Sequence, residues 1–177
     1  MDLGVISVRY ARALLKSATE QGIETTVFAE MQSLGRCFID LPQLRSTIDN
    51  PMLSAQQKET LLLTACGENV TALTQRFFQL VLKEGRENAL QFMAASYVTL
   101  YRKQKNITCS KLITATNVST QMEEKMKRMV ENNTHGTVEF QTEVDPDIVG
   151  GFILEYDTYR LDASVKTKLR KILTALK

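Results

Sequence analysis

The sequence has no tryptophan, only three prolines and a single histidine among its 177 residues. Its three cysteines, Cys37, Cys66 and Cys109, lie far apart and form no C-x-x-C pair, which argues against a disulfide framework and a zinc site. We therefore expect free thiols in a reducing compartment. His135 lies in the loop-like stretch Asn-Asn-Thr-His-Gly and is interpreted as a surface histidine, with a dyad to a distant cysteine as the alternative. No metal site is predicted, because the sequence offers neither clustered soft ligands nor a calcium loop.

Long hydrophobic runs are also missing. No apolar stretch approaches the ~20 residues that are needed to span a bilayer. The opening residues, MDLGVISVRYARALLK, lack the apolar core and cleavage site of a signal peptide. The formal net charge is only +2, which is too small to indicate nucleic-acid binding by itself. We therefore expect a soluble chain that meets a membrane only through partners.

Helical periodicity dominates the first hundred residues. Ser54 stands three residues before Gln57, the spacing of a capping box, and Gly85 is placed to end a helix. Short loops separate the helical segments, which predicts an antiparallel six-helix bundle over residues 1–105. The predicted helices cover about 4–20, 23–41, 43–49, 55–66, 71–84 and 87–104.

The pattern changes to alternation near residue 106, which predicts a small α+β domain over residues 106–177. Strands are expected at about 107–115, 138–144, 152–156 and 159–161, with helices at about 120–132 and 165–176. The fold class is therefore a two-domain chain, with an all-α part followed by an α+β part.

The last helix is amphipathic and basic. Its stripe of Val165, Leu169, Ile172 and Leu176 is expected to pack onto the sheet. The opposite face carries Lys166, Lys168, Arg170 and Lys171, and no acidic residue occurs from Ala163 onward. We identify Lys166 and Arg170 as candidate contacts to an acidic partner.

No motif in the sequence predicts a catalytic site. Gly150-Gly151 precedes a strand and matches neither phosphate-binding fingerprint, so a tight strand entry is the interpretation. The pairs Glu123-Glu124 and Asp145/Asp147 fall on a polar helix face and in a turn, where carboxylates are usually solvated. Met122, Met126 and Met129 form a stripe that indicates either core filling or a soft groove for a partner.

Two features favour an interaction protein over an enzyme. The first helix has a small-residue face, Ser7, Ala11, Ala13 and Ala18, which suits either internal packing or a partner helix. In the fifth helix, Phe77 and Phe78 are adjacent and point about 100° apart, so one of them is expected to reach a groove or the surface.

Three segments together resemble the delta subunit of bacterial F-type ATP synthase, the oligomycin-sensitivity-conferring protein family. They are VRYARALLKSA at Val8–Ala18, LVLKEGRENALQFM at Leu80–Met93, and DPDIVGGFILEYDTYRLDASVKTKLRKI at Asp145–Ile172. They occur in the family's order and span nearly the whole chain. One departure is Tyr156-Asp157-Thr158, where the family often has a Gly-Asp turn.

The resemblance implies a non-catalytic stator subunit without a cofactor, which links the alpha/beta catalytic head to the b-type stalk during proton-driven ATP synthesis. It implies that the N-terminal bundle binds the N-terminal helix of an alpha subunit through its first and fifth helices, and that the C-terminal domain meets the b subunits. It also implies a peripheral place on the cytoplasmic face of the bacterial membrane, since no transit peptide is evident. The positions that match the alpha contact are Tyr10, Ala11, Ala13, Leu14, Phe77, Phe78 and Val81.

An RNA-binding adaptor is the alternative from a different class. Against it stand the balanced charge of residues 106–177 and the lack of an RNP1-like aromatic motif or a GXXG loop. An enzyme is the third alternative.

Overall fold

A computed structural model describes residues 3–67, 69–134, 137–156 and 159–175. The chain divides into two compact units between Arg102 and Lys103. The first unit is helical and the second combines helices with a four-stranded sheet, as the hydrophobic pattern predicts. His135 and the Asp157-Thr158 turn lie outside the described residues.

Local sequence signals account for the helix ends in the first unit. Ser54 and Gln57 form the predicted capping box, with Gln57 N donating to Ser54 Oγ at 3.3 Å and Ser54 N donating to Gln57 Oε1 at 3.0 Å. Pro42 begins the third helix, where its missing N–H has no partner to lose. A 3₁₀ turn at Glu87–Ala89 precedes the sixth helix. The helices are α1 (Leu3–Glu20), α2 (Glu24–Asp40), α3 (Pro42–Ile48), α4 (Ala55–Cys66), α5 (Ala72–Lys83) and α6 (Leu90–Gln104).

Both phenylalanines of α5 are buried, so the expectation that one of them reaches a groove or the surface is wrong. Phe78 is fully covered and Phe77 nearly so. The physical reason is that α5 is covered on more than one side: it packs against α4, and the Phe77 ring meets Tyr10 of α1. A helix that packs against neighbours on two sides needs an apolar surface wider than a single stripe.

One buried carboxylate joins two helices inside the first unit. Glu30 of α2 accepts hydrogen bonds from the Thr71 backbone N–H at 2.6 Å, from the Thr71 hydroxyl at 3.0 Å and from the Thr74 hydroxyl. These donors lie at the first turn of α5, where unpaired N–H groups and the helix dipole favour an anion. Glu30 therefore fixes where α5 starts relative to α2.

The second unit is built on a mixed sheet in the order β2-β1-β3-β4. Its elements are β1 (Ile107–Thr114), α7 (Thr120–Thr134), β2 (Thr137–Val144), β3 (Phe152–Tyr156), β4 (Tyr159–Asp162) and α8 (Val165–Ala175). β1 pairs in parallel with β2 across the α7 connection, and in antiparallel fashion with β3. The central strand β1 thus pairs with strands that follow it by roughly thirty and forty residues.

A compact apolar cluster lies between α7 and the sheet. Met126 and Val130 of α7 pack with Leu112, Val138 and Leu154 from three strands. Of the three methionines, only Met126 is buried, while Met122 and Met129 are partly exposed. Only one position of the predicted methionine stripe, Met126, therefore fills the core.

The glycine pair leads into β3, as predicted. Gly151 has φ +77°, and a Cβ at this position would overlap the backbone carbonyl oxygen of Ala163. Glycine is thus required by both the positive φ and the close approach of the segment before α8. The backbone N–H of Val165 donates to the Gly150 carbonyl at 2.9 Å, so these glycines brace the start of α8.

The apolar stripe of α8 does not pack on the sheet, so this expectation is wrong. Leu169, Ile172 and Leu173 are 50%, 55% and 65% exposed. Polar groups hold the start of α8: Ser164 is buried and Thr167 donates to Asp162 at 2.8 Å. Residues 164 and 167 lie on the face opposite Leu169, and residues 168–174 are all exposed, so the apolar stripe is left uncovered. Leu176 lies outside the described residues.

Candidate functional site

Within the described residues, no group of three histidine, cysteine, aspartate or glutamate side chains is arranged to hold a metal ion. Glu124 is exposed and lies 3.7 Å from Arg128, and Asp145 caps its own turn by accepting from the Asp147 N–H at 3.0 Å. Burial raises the pKa of the Cys66 thiol to about 12, which disfavours the nucleophilic thiolate. These candidate groups have structural or solvated roles.

The meeting of α1 and α5 is the first candidate surface, and Tyr10 is its centre. The Tyr10 ring meets the Phe77 ring edge to face, with centroids 6.4 Å apart and an interplanar angle of 65°. Tyr10 is half-buried, so part of the ring is available to a partner. We call Tyr10 and Ala13, with Phe77 packed against the Tyr10 ring, the α1–α5 surface.

The predicted alpha-contact residues divide into two sets by burial. Tyr10 is half-buried and Ala13 is exposed, so these two can touch a partner as the structure stands. The remaining five are buried and support the surface from below: Ala11, Leu14, Phe77, Phe78 and Val81. The resemblance points to α1 and α5, but sequence periodicity alone does not separate their exposed residues from the packing beneath them.

Several exposed residues near this surface were not singled out by the sequence. Leu80 of α5 is 49% exposed, and Val5 of α1 is 59% exposed. The exposed side of α1 also carries Arg9, Arg12 and Lys16. Val5, Val8 and Ala13 line one open groove together with these basic side chains, and such an apolar face with basic margins suits an amphipathic partner helix. The hydrophobic pattern contained this signal, since Val5 and Val8 fall outside the buried stripe of α1.

Arg86 is a further residue that sequence reasoning missed. Its Nη1 donates to the Tyr10 hydroxyl at 3.2 Å, and its guanidinium carbon lies 5.4 Å from the centroid of the Tyr10 ring. It lies three residues beyond the end of α5 and is half-buried. The only signal available was its place in the Gly-Arg pair that carries the family resemblance.

The outward face of α8 is the second candidate surface. We call Leu169, Ile172 and Leu173 with the flanking basic side chains the α8 surface. Lys166 and Arg170, predicted for this region, are exposed beside the apolar stripe, as are Lys168 and Lys171. Exposed apolar side chains grouped on one helix face are typical of a protein interface.

Within the described residues, no helix is long and apolar enough to cross a membrane.

Hydrogen bonds at its first turn hold the α8 surface in place. Asp162 accepts from the Ser164 hydroxyl at 2.6 Å, from the Ser164 N–H at 2.9 Å and from the Thr167 hydroxyl at 2.8 Å. The Thr167 N–H in turn donates to Ser164 Oγ at 3.2 Å, which is an N-cap interaction. These bonds, led by that of the Ser164 side chain, lower the pKa of the Asp162 carboxyl to about 2.

Comparison with known proteins gives one consistent family. The profile described as ATP synthase delta (OSCP) subunit matches residues 6–176. The ATP synthase subunit delta of Phocaeicola vulgatus is 47% identical over 97% of this chain and 94% of its own length. The same subunit of Bacteroides fragilis is 41% identical, with the same coverage of both chains.

A more distant likeness supports the fold. A chain in the cryo-EM structure of the Toxoplasma gondii mitochondrial ATP synthase hexamer superposes with a TM-score of 0.72 at 22% identity, and 96% of each chain is covered. At this identity the likeness concerns the arrangement of helices and strands alone. The close relatives and the family profile carry the assignment: the chain belongs to the ATP synthase delta (OSCP) subunit family and is a non-catalytic component of the peripheral stalk.

Proposed function

We propose that the chain joins the catalytic head of an F-type ATP synthase to the b-type stalk, with each unit holding one side of the joint. In this proposal the helical unit, acting as one six-helix bundle, binds the N-terminal helix of an alpha subunit. The α+β unit binds the b subunits. The chain then sits peripherally on the cytoplasmic face of the bacterial cell membrane and resists rotation of the head.

The exposed apolar face of α8 is the observation that carries the stalk side of this proposal. Three large aliphatic side chains at half or greater exposure are unfavourable in water, and covering them releases roughly 25 cal/mol for each Å² of apolar surface buried. An amphipathic helix of the stalk would cover this face with its own apolar stripe. Basic side chains around the stripe, Lys166 and Arg170 among them, favour an acidic margin on that helix.

The alpha side is supported by the α1–α5 surface. Ala13 is small and exposed, which permits close approach of another helix, and Tyr10 beside it offers an aromatic face with a polar tip. Ala11, Leu14, Phe77, Phe78 and Val81 then act by packing beneath the contact.

Affinity purification of the tagged chain tests the proposal as a whole. The expected result is co-purification of alpha and b subunits, with no RNA above the level of a tag-only control. Recovery of RNA without ATP synthase subunits would favour an adaptor function instead.

Substitution of Ala13 tests the alpha side. Ala13→Trp places a large ring on the exposed face of α1, so we expect weaker binding of an alpha N-terminal peptide with an unchanged circular dichroism spectrum. Ala11→Trp is the matched contrast, because Ala11 is fully buried and the ring would disrupt the core. Loss of helical signal in Ala13→Trp would contradict the assignment of Ala13 to the surface.

A further inference from the structure

The segment that follows α5 is locked in a defined geometry. Gly85, with φ +61°, donates its N–H to the Leu82 carbonyl at 3.1 Å, and the Arg86 N–H donates to the Val81 carbonyl at 3.0 Å. This pair of bonds is the Schellman arrangement of a helix C-terminus. The backbone of Arg86 is therefore fixed relative to the last turn of α5.

From this fixed position, the Arg86 side chain reaches α1. It donates to the Tyr10 hydroxyl at 3.2 Å and lies 5.4 Å from the ring centroid, so one guanidinium makes both a hydrogen bond and a cation–π contact with the same residue. No carboxylate of the described residues lies within ion-pair distance of Arg86. The guanidinium is therefore not drawn toward a competing acidic partner.

The neighbouring residue makes an independent contact to another helix. Glu87 accepts from Lys58 Nζ of α4 at 2.8 Å, and the Lys58 side chain is buried. Arg86 and Glu87 are consecutive, but Arg86 contacts α1 and Glu87 contacts α4. This pair of contacts allows the positioning of Tyr10 to be tested apart from the stability of the unit.

We propose that Arg86 is a positioning residue, which holds the Tyr10 ring against Phe77 and thereby shapes the α1–α5 surface. The inference rests on the proposed alpha-subunit contact. It adds a residue beside that contact, which acts by holding Tyr10 in place. An aromatic side chain that is ordered before binding loses less conformational freedom on binding. Removing the guanidinium leaves Tyr10 free to change rotamer, and we expect about fivefold to tenfold weaker binding of the partner helix.

The test uses the full chain and a synthetic peptide that spans the N-terminal helix of the alpha subunit, with a tryptophan added as the fluorescent probe. The chain itself has no tryptophan, so the probe reports without background. Arg86→Gln should weaken binding about fivefold to tenfold, and Arg86→Lys should restore part of the affinity because it keeps a cation. NMR of tyrosine-labelled chain should show a changed Tyr10 ring environment in Arg86→Gln. In a Tyr10→Phe background, Arg86→Gln should cost less than in the wild type, because the hydrogen bond is already absent.

Lys58→Met is the matched control. It removes the contact of Glu87 to α4, so the melting temperature should fall while the peptide affinity and the Tyr10 ring signals stay as in the wild type. Equal weakening by Lys58→Met and Arg86→Gln would overturn the inference, since stability alone would then explain both. Arg86→Gln binding within about twofold of the wild type would overturn it as well. A wild-type chain that does not bind the peptide would overturn the proposed alpha contact itself.

Discussion

At the scale of single residues, Asp162 links pH to the start of α8. Its pKa falls from an ordinary value of 3.8 to about 2 because Ser164 and Thr167 donate to the carboxylate. A depressed carboxyl pKa stabilises the folded chain above the unfolded value, and this stabilisation is lost as pH falls from about 3.8 through about 2. Asp162→Asn should therefore lower the melting temperature most above pH 4, and the gap to the wild type should narrow toward pH 2. Thermal melts across this range measure it, and a gap that does not change with pH would contradict the prediction.

The three cysteines should react at different rates. Cys109 is exposed, Cys37 is half-buried and Cys66 is buried with a pKa of about 12. Alkylation needs both access and thiolate, so iodoacetamide near pH 8 should modify Cys109 first and Cys66 last. Peptide mapping by mass spectrometry follows the order. In guanidinium chloride the difference between Cys66 and Cys109 should vanish, whereas equal rates in the native chain would contradict the burial of Cys66.

Contacts between distant residues are what sequence reasoning missed at this scale. Arg86 and Tyr10 are 76 positions apart, and no periodicity links them. Glu30 and Thr71 are likewise joined only by the packing of α2 against the start of α5. Gly151 is a mixed case, since its place before a strand predicts a tight strand entry, whereas the close approach of the Ala163 carbonyl is seen only in the structure.

At the scale of elements, substitutions on the two faces of α8 should have different effects on binding. Leu169 is half exposed, so Leu169→Asp should leave the α+β unit folded and should weaken binding of a b-subunit segment strongly. Packing of the stripe onto the sheet, which periodicity predicts, would make this substitution unfold the unit instead. Thr174→Asp on the opposite face is the control and should bind as the wild type does. Titrations with circular dichroism measure both properties, and unfolding of Leu169→Asp would contradict the outward orientation of the stripe.

Charge reversal on α8 should act more weakly. Exposed ion pairs contribute only ~0.2–1 kcal/mol each and are screened by salt. The double variant Lys166→Glu, Arg170→Glu should therefore lower the affinity for the b segment modestly at low salt and make it less dependent on salt. Unchanged affinity at low salt would show that these side chains are merely solvated, and the stalk contact would then be sought on the sheet or on α7.

The helices and strands were largely predictable from the sequence, but which of their faces pack against neighbouring elements was not. Predicted and observed helix ends agree closely where capping or glycine signals exist, as at Ser54 and Gly85. Periodicity shows that a helix has an apolar face, but not what covers it, and this is why the α8 stripe and Phe77-Phe78 were misjudged. The strand order β2-β1-β3-β4 depends on long-range pairing that no local pattern encodes.

At the scale of the whole molecule, the division between Arg102 and Lys103 predicts two units of independent stability. A fragment of residues 1–105 should unfold in one cooperative thermal transition, because its helices bury their own apolar stripes. It should also bind the alpha N-terminal peptide with nearly the affinity of the full chain. Calorimetry and peptide titration measure these properties. A fragment without a cooperative transition would show that the two units share one core.

The pairing of β1 has a consequence for synthesis of the chain on the ribosome. The helical unit relies on contacts that are complete once α6 has emerged, so it can fold while translation continues. β1 emerges next, but its partners β2 and β3 are translated roughly thirty and forty residues later. During that interval both edges of β1 are open, and closing such non-local contacts is slow. The nascent chain therefore carries a folded helical unit followed by an unpaired strand, and the open edges of this strand can pair with other chains until β2 and β3 have been translated.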